Sequence, residues 1–259
     1  MGTPSPCVVL TRSPADNLPL AQRLHALGLR TTELPTAELV PVPVDPHEAQ
    51  QVLSAVHAVA FTSPHGVTAF LDQLGPAVLQ GLPLAAVGQQ TAQALQRAGL
   101  PVRWTATDAQ TGQHLAHLLA SHLAPTATIV LVCAAHARPE LHDGLLARGH
   151  RANKLVVYRN ATPVPHALAL EAAAAADLVY AAAPSAAERA LSWLPELAGL
   201  PWVAIGPTTA SRLAQLVPDT AVTVAHTPQL DDVVAAVVHA AAGCVARTAS
   251  PTHKGPPHV

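Results

Sequence analysis

The side chains in this sequence that could act on a ligand are mostly neutral hydroxyls and amides, placed just after short apolar runs. Thr11 and Arg12 follow Val8–Leu10, Thr62 and Ser63 follow Ala60-Phe61, and Gly88, Gln89, Gln90 and Thr91 follow Ala85-Ala86-Val87. Farther on, Ser185 follows Tyr180–Pro184, and Gly206, Thr208 and Thr209 follow Val203-Ala204-Ile205. Donors beside helix starts attract anions, and in open parallel sheets ligands lie beyond the carboxyl ends of the strands. Read singly, Ser63 and Thr209 are helix caps. Their recurrence along the chain points instead to two anion-binding edges. Arg12, Arg138 and Arg159 also follow strand-like runs, where a guanidinium either meets a carboxylate bidentately or serves as a surface charge. Tyr158 is one of only two tyrosines. It either packs between domains or presents its phenol as a proton donor.

The common catalytic signatures are missing. No GxGxxG follows a strand, which disfavours a dinucleotide reader. Gly144-x-x-x-x-Gly149 lacks the following Lys and Ser/Thr of a phosphate loop and reads as the end of a helix. No G-x-S-x-G elbow occurs, and Ser63-Pro64-His65-Gly66 reads as a helix start. His114-x-x-His117, and His136 with His142, match no metal-ligand set and read as solvated surface. Cys7, Cys133 and Cys244 stand far apart, which argues against both a zinc site and a disulfide framework and fits a reducing compartment.

The 259 residues fit one large or two small domains, and half are apolar. Only 12% are charged and the net charge is −2. No basic face offers itself to nucleic acid or to a membrane surface, so the expected partner is a small molecule. The N-terminus has no basic region leading into a long apolar stretch, and no apolar run reaches the length of a membrane span. The expectation is a soluble cytoplasmic protein.

These residues need elements to position them. Short apolar runs alternate with amphipathic segments: Val8–Thr11 then Leu18–Leu27, Val59–Thr62 then Val67–Leu74, Leu84–Val87 then Thr91–Ala98. The rhythm continues with Ile129–Cys133 before Glu140–Ala147, Leu178–Ala182 before Ala186–Leu194, and Trp202–Ile205 before Thr209–Leu216. This is the pattern of βαβ units in parallel sheets, so the fold class is α/β. Gly28, Gly99 and Gly149 stand where a left-handed residue ends a helix.

The two halves repeat one another. Ala60–Pro64, Leu82–Gly88 and Thr91-Ala92 correspond to Ala181–Ser185, Leu200–Gly206 and Thr209-Ala210, and Thr107–Thr111 corresponds to Ala225–Gln229. Two proline-bearing stretches, Leu34–Val44 and Val156–Pro165, are expected to run side by side as a connector. One α/β domain would then be discontinuous, built from residues 1–36 and 164–246, with residues 43–156 forming an inserted α/β domain. Residues 247–259, rich in Pro, Thr and His, are expected to be a disordered tail.

Five motifs together resemble the uroporphyrinogen-III synthase family: Val9–Arg12, Phe61–Val67, Val87–Ala92, Val156–Arg159 and Ala204–Ala210. The resemblance runs from about Val8 to Val238. It implies two parallel-sheet α/β domains joined by a two-stranded β connector, with the active site in the interdomain cleft. It implies a cyclising hydro-lyase that needs no cofactor and no metal. Its substrate would be hydroxymethylbilane, received from hydroxymethylbilane synthase and closed by a monomer of tetrapyrrole biosynthesis with inversion of the last ring. Loss of the substrate hydroxyl gives an azafulvene, a spiro intermediate follows, and its rearrangement yields the inverted macrocycle. The family's tyrosine at the connector end, which assists departure of the hydroxyl, corresponds to Tyr158. Substrate binding falls to Thr11, Arg12, Thr62, Ser63, Gly88, Gln89, Thr91, Arg138, Ser185, Gly206, Thr208 and Thr209. Two departures stand out: Ala183 replaces the usual hydroxyl before the proline, and Cys133–Arg138 lacks the frequent Arg-Gly.

Two other classes remain open from the residues alone. A two-lobed binding protein of the periplasmic type would share the architecture but would carry a signal peptide. A Rossmann oxidoreductase would need the glycine fingerprint.

Overall fold

The computed structural model describes residues 5–107 and 111–249. Asp108–Gln110, in the third repeated block, and residues 250–259 of the expected tail lie outside the described residues. In chain order the first elements are β1 (Cys7–Leu10), α1 (Pro14–Ala26), β2 (Arg30–Glu33), β3 (Glu38–Pro41) and α2 (Pro46–Ser54). Next come β4 (Ala58–Phe61), α3 (Pro64–Leu74), β5 (Leu84–Ala86), α4 (Gln89–Arg97), β6 (Val102–Thr105), α5 (Gly112–His122), β7 (Thr128–Ala134), α6 (Glu140–Leu146) and β8 (Arg151–Ala161). The last are α7 (Ala167–Ala174), β9 (Leu178–Ala181), α8 (Pro184–Trp193), β10 (Trp202–Ala204), α9 (Pro207–Leu216), β11 (Val222–Val224) and α10 (Leu230–Ala249).

The chain divides into two compact units, Met1–Glu38 with Thr162–Val259, and Leu39–Ala161. In the first, the sheet order is β11-β10-β9-β1-β2, with every pair parallel. A parallel sheet must be covered on both faces, and the strand residues sort accordingly. Val8, Leu10, Leu178 and Tyr180 meet α1 and α10 through Leu20, Leu24, Val233 and Val237. Val9, Val179, Ala181 and Trp202 meet α7, α8 and α9 through Ala173, Ala187, Ala190 and Leu213. Alternation along each strand delivers successive side chains to opposite cores.

The second unit holds a sheet of order β3-β8-β7-β4-β5-β6, with β8-β7, β7-β4, β4-β5 and β5-β6 parallel. Val59, Phe61, Val130 and Val132 face α3 and α4, where Phe61 and Phe70 pack edge to face at 5.6 Å between ring centroids. Ala58, Ala60, Ile129 and Leu131 face α5 and α6. Gly28, Gly99 and Gly149 have φ of +80°, +76° and +80°, the left-handed value their place after a helix requires.

The stretches Leu34–Val44 and Val156–Pro165 run side by side where β3 and β8 are neighbours, and two boundaries differ from expectation. β8 starts at Arg151 and pairs with β7 over most of its length, so β3 and β8 are the margin of the second sheet, with Val42 N–H donating to Val157 O at 3.0 Å. The charged Arg151, Lys154 and Arg159 hide that strand in the sequence. At the other end α10 continues through residues 247–249, so the helix enters the span expected to be disordered. No helix among the described residues is long and apolar enough to cross a membrane.

Candidate active site

In the second sheet the chain leaves β4 toward β5 and later leaves β7 toward β8, in opposite directions from neighbouring strands. Such a reversal opens a crevice beyond the carboxyl ends of the two strands. A pocket of about 410 Å³ occupies that place, lined from β4 by Thr62 and Ser63, from β7 by Ala134, His136, Ala137 and Arg138, and from β8 by Tyr158 and Asn160. Thr111 and Gly112 at the start of α5, with Glu140 and Leu141 at the start of α6, form the opposite wall.

Local sequence explains how Ser63 is placed. It takes an extended conformation before Pro64, whose ring suits the first helical position, and its Oγ accepts the Gly66 N–H at 3.0 Å. The same Oγ lies 2.9 Å from the Tyr158 hydroxyl. Tyr158 reaches it because the β7–β8 register slips between Cys133 and Ala134: Cys133 opposes Val156, while Ala134 opposes Tyr158. The inserted Val157 gives its carbonyl to both Val42 N–H and the Gln73 side chain, at 3.0 and 3.1 Å. Val157 and Tyr158 are consequently both buried, and strict alternation fails at this point. Tyr158 is only 7% exposed, shares the core cluster of Val67 and Phe70, and meets the His65 ring at 6.4 Å. Its ring packs within its own unit, the residue lines the pocket, and its hydroxyl lies beside Ser63.

The structure gathers Thr62, Ser63, Arg138 and Tyr158 of the sequence-predicted set into this pocket. Thr62 spends its hydroxyl on Val132 O at 3.3 Å, and Arg138 is exposed. Gly88, Gln89 and Thr91 start α4 outside the lining, with Thr91 buried and Gln89 exposed. In the first unit Thr11 is buried and occupied: its Oγ1 donates to Tyr180 O at 2.9 Å and accepts from Ala182 N–H at 3.4 Å. Arg12 is exposed, 3.7 Å from Asp16. Thr209 is not a cap. Gly206 holds the cap position of α9 without a side-chain bond, and Thr209 is a buried residue of the first turn, whereas Thr208 is exposed. Ala183 caps α8 with no side-chain bond, and Ser185 is exposed in its first turn. Arg159 is exposed on β8.

Sequence reasoning misses Asn160, His136 and Thr111 as lining residues. Asn160 carries a usable signal, since it stands two residues from Tyr158 and so shares its strand face. The others enter through strand order, which the residues alone do not reveal.

Electrostatics narrow the chemistry. Burial pushes the Tyr180 phenol up to about 12, with Arg12 opposing in part, so this second tyrosine stays neutral. Burial likewise raises the Cys7 and Cys133 thiols, Arg30 and Lys154 respectively pulling the other way, so neither is poised as a thiolate nucleophile. Among the described residues no group of three or more His, Cys, Asp or Glu is placed to hold a metal.

Comparison with known proteins bears on the fold and the family. The fold resembles a uroporphyrinogen-III synthetase structure from Helicobacter pylori (TM-score 0.60, 20% identity, 90% of this chain and 98% of that one). It also resembles a mutant uroporphyrinogen III synthase from the extremely thermophilic bacterium Thermus thermophilus (TM-score 0.56, 20% identity, 92% of this chain and 100% of that one). No curated protein matches the sequence. The family described as uroporphyrinogen-III synthase HemD matches residues 19–235, most of the chain, and the chain belongs to that family.

Proposed function

We propose that this chain closes hydroxymethylbilane to uroporphyrinogen III, inverting the last ring with loss of water. The observation that carries the reading is the Tyr158 hydroxyl, held 2.9 Å from Ser63 at the edge of a donor-lined pocket in a protein of this family. The substrate is a polycarboxylate that cyclises unassisted, so the protein's task is to hold one conformation and ease departure of the hydroxyl. Tyr158 gives its proton to that hydroxyl, which leaves as water with both electrons of the C–O bond. The pyrrole nitrogen supplies the electron pair that forms the azafulvene, and loss of its N–H proton restores the phenol. Arg138, Asn160 and the N–H groups at the start of α5 are the candidates for substrate carboxylates in this unit. Arg12, Ser185 and Thr208 are the exposed candidates in the other.

No cofactor enters the scheme, and a cytoplasmic monomer supplied by hydroxymethylbilane synthase is the working arrangement. The test is to supply fresh hydroxymethylbilane to the purified chain and separate the products. Isomer III above the unassisted background supports the reading, and isomer I alone refutes it.

A further inference from the structure

The sequence marks Ser63 as a substrate ligand, yet its hydroxyl is engaged inside the protein. One lone pair accepts the Gly66 N–H at 3.0 Å, and the remaining described contact is the Tyr158 hydroxyl at 2.9 Å. A serine hydroxyl has one proton and two acceptor sites. Taking a hydrogen bond from the positive end of α3 makes its oxygen a poorer second acceptor and its proton a better donor, because linked hydrogen bonds polarise one another. Either hydroxyl could donate across this contact, and polarisation by the Gly66 N–H is what assigns the Ser63 proton to the Tyr158 oxygen. Tyr158 is then left to donate its own proton outward, into the pocket. Were the direction reversed, the phenol proton would be tied to Ser63 and only oxygen lone pairs would face a ligand.

A plain cap does not account for this arrangement. The equivalent position before α8 is Ala183, with φ −161° and ψ 158° against −158° and 157° at Ser63, and α8 forms there without any capping side chain.

We infer that Ser63 is a positioning residue that sets the direction of the Tyr158 proton and makes no contact with substrate, an inference that rests on Tyr158 being the acid. Kinetics of Ser63→Ala, Tyr158→Phe and the double variant, with thermal unfolding measured for each, test it in the full chain. Ser63→Gly serves as the second substitution, since glycine is well tolerated at a cap. Both Ser63 changes are expected to lower kcat for isomer III about tenfold with KM within about twofold. In the Tyr158→Phe background the same changes should alter kcat by less than about twofold, because their effect runs through the missing hydroxyl.

An equal loss in both backgrounds, a raised KM at unchanged kcat, or no loss at all would overturn the assignment. Failure of its footing looks different. A wild-type chain giving isomer I alone removes the proposed activity, and an unaltered rate for Tyr158→Phe removes the acid, either of which takes the Ser63 role with it.

Discussion

Tyr158 joins a packing role to a chemical one, and a single atom separates them. Phenylalanine keeps the ring against Val67 and Phe70 and removes the hydroxyl beside Ser63. We expect Tyr158→Phe to lower kcat about 100-fold, the lower end for a positioned acid acting on a reactive substrate, with the melting temperature nearly unchanged. An equal rate would return Tyr158 to packing alone. Tyr158 stands out in the sequence because tyrosine is rare here and ends a β-branched run, and the family resemblance is what gives it a chemical role. Its burial was not legible, because the register slip that turns two successive residues inward depends on how β7 and β8 pair. A second residue-scale expectation concerns Glu33. Burial raises its carboxyl above the ordinary value, with the Asn17 side-chain bond opposing. A raised value means that Glu33's contribution to stability is full below the unfolded value of 4.5 and is lost as pH rises through the folded one. Glu33→Gln should match the parent chain near pH 4 and surpass it by pH 8 in denaturant midpoint. A constant offset across that range would rule the effect out.

Among the elements, the interior strands were legible because both faces are buried and each reads as an unbroken apolar run. The marginal strands were not. Arg30-Thr-Thr-Glu of β2 and Val-Arg-Trp-Thr of β6 mix charge with β-branched residues, and only their neighbours make them strands. The repeat between the halves was legible and supports a specific engineering outcome. Ala183 has the backbone of a cap but no acceptor, so Ala183→Ser is expected to stabilise by about 0.5–1 kcal/mol, raising the melting temperature by about 2 °C. No rise would mean that the existing Ala186 N–H to Ala183 O bond, at 3.1 Å, already satisfies that turn. Where helices meet, space is the limit. A Cβ on Gly112 would come 2.8 Å from Leu141 N, so Gly112→Ala must push α5 away from α6. Because these helix starts form one wall of the pocket, we expect a stability loss of about 1–3 kcal/mol and a raised KM. Unfolding and kinetics on that variant check both, and an unchanged KM would detach the wall from binding.

At the scale of the whole molecule, one unit is continuous in sequence and the other is not. Residues 39–161 contain every strand from β4 to β8 and both flanking helical layers. Expressed alone, this segment is expected to unfold cooperatively with a native-like helical spectrum, and a non-cooperative melt would contradict its autonomy. Strand order within each sheet lay beyond the sequence, since residue pattern says which runs are strands but not which neighbours they take. That order also sets a timetable. β1 is an interior strand of its sheet, between the edge strand β2 and β9, with Leu10 opposite Tyr180. A ribosome adding about 5–20 residues per second reaches β9 roughly 10–30 s after β1 has emerged. Through that interval the Cys7–Leu10 strand has β2 on one edge and nothing on the other, while the continuous unit can already be complete. A nascent chain halted just past Ala161 should therefore resist protease across residues 39–161 and still be cut near β1. The molecule's last strands to be made thus bury the first, and chaperone demand should be concentrated on that short N-terminal stretch.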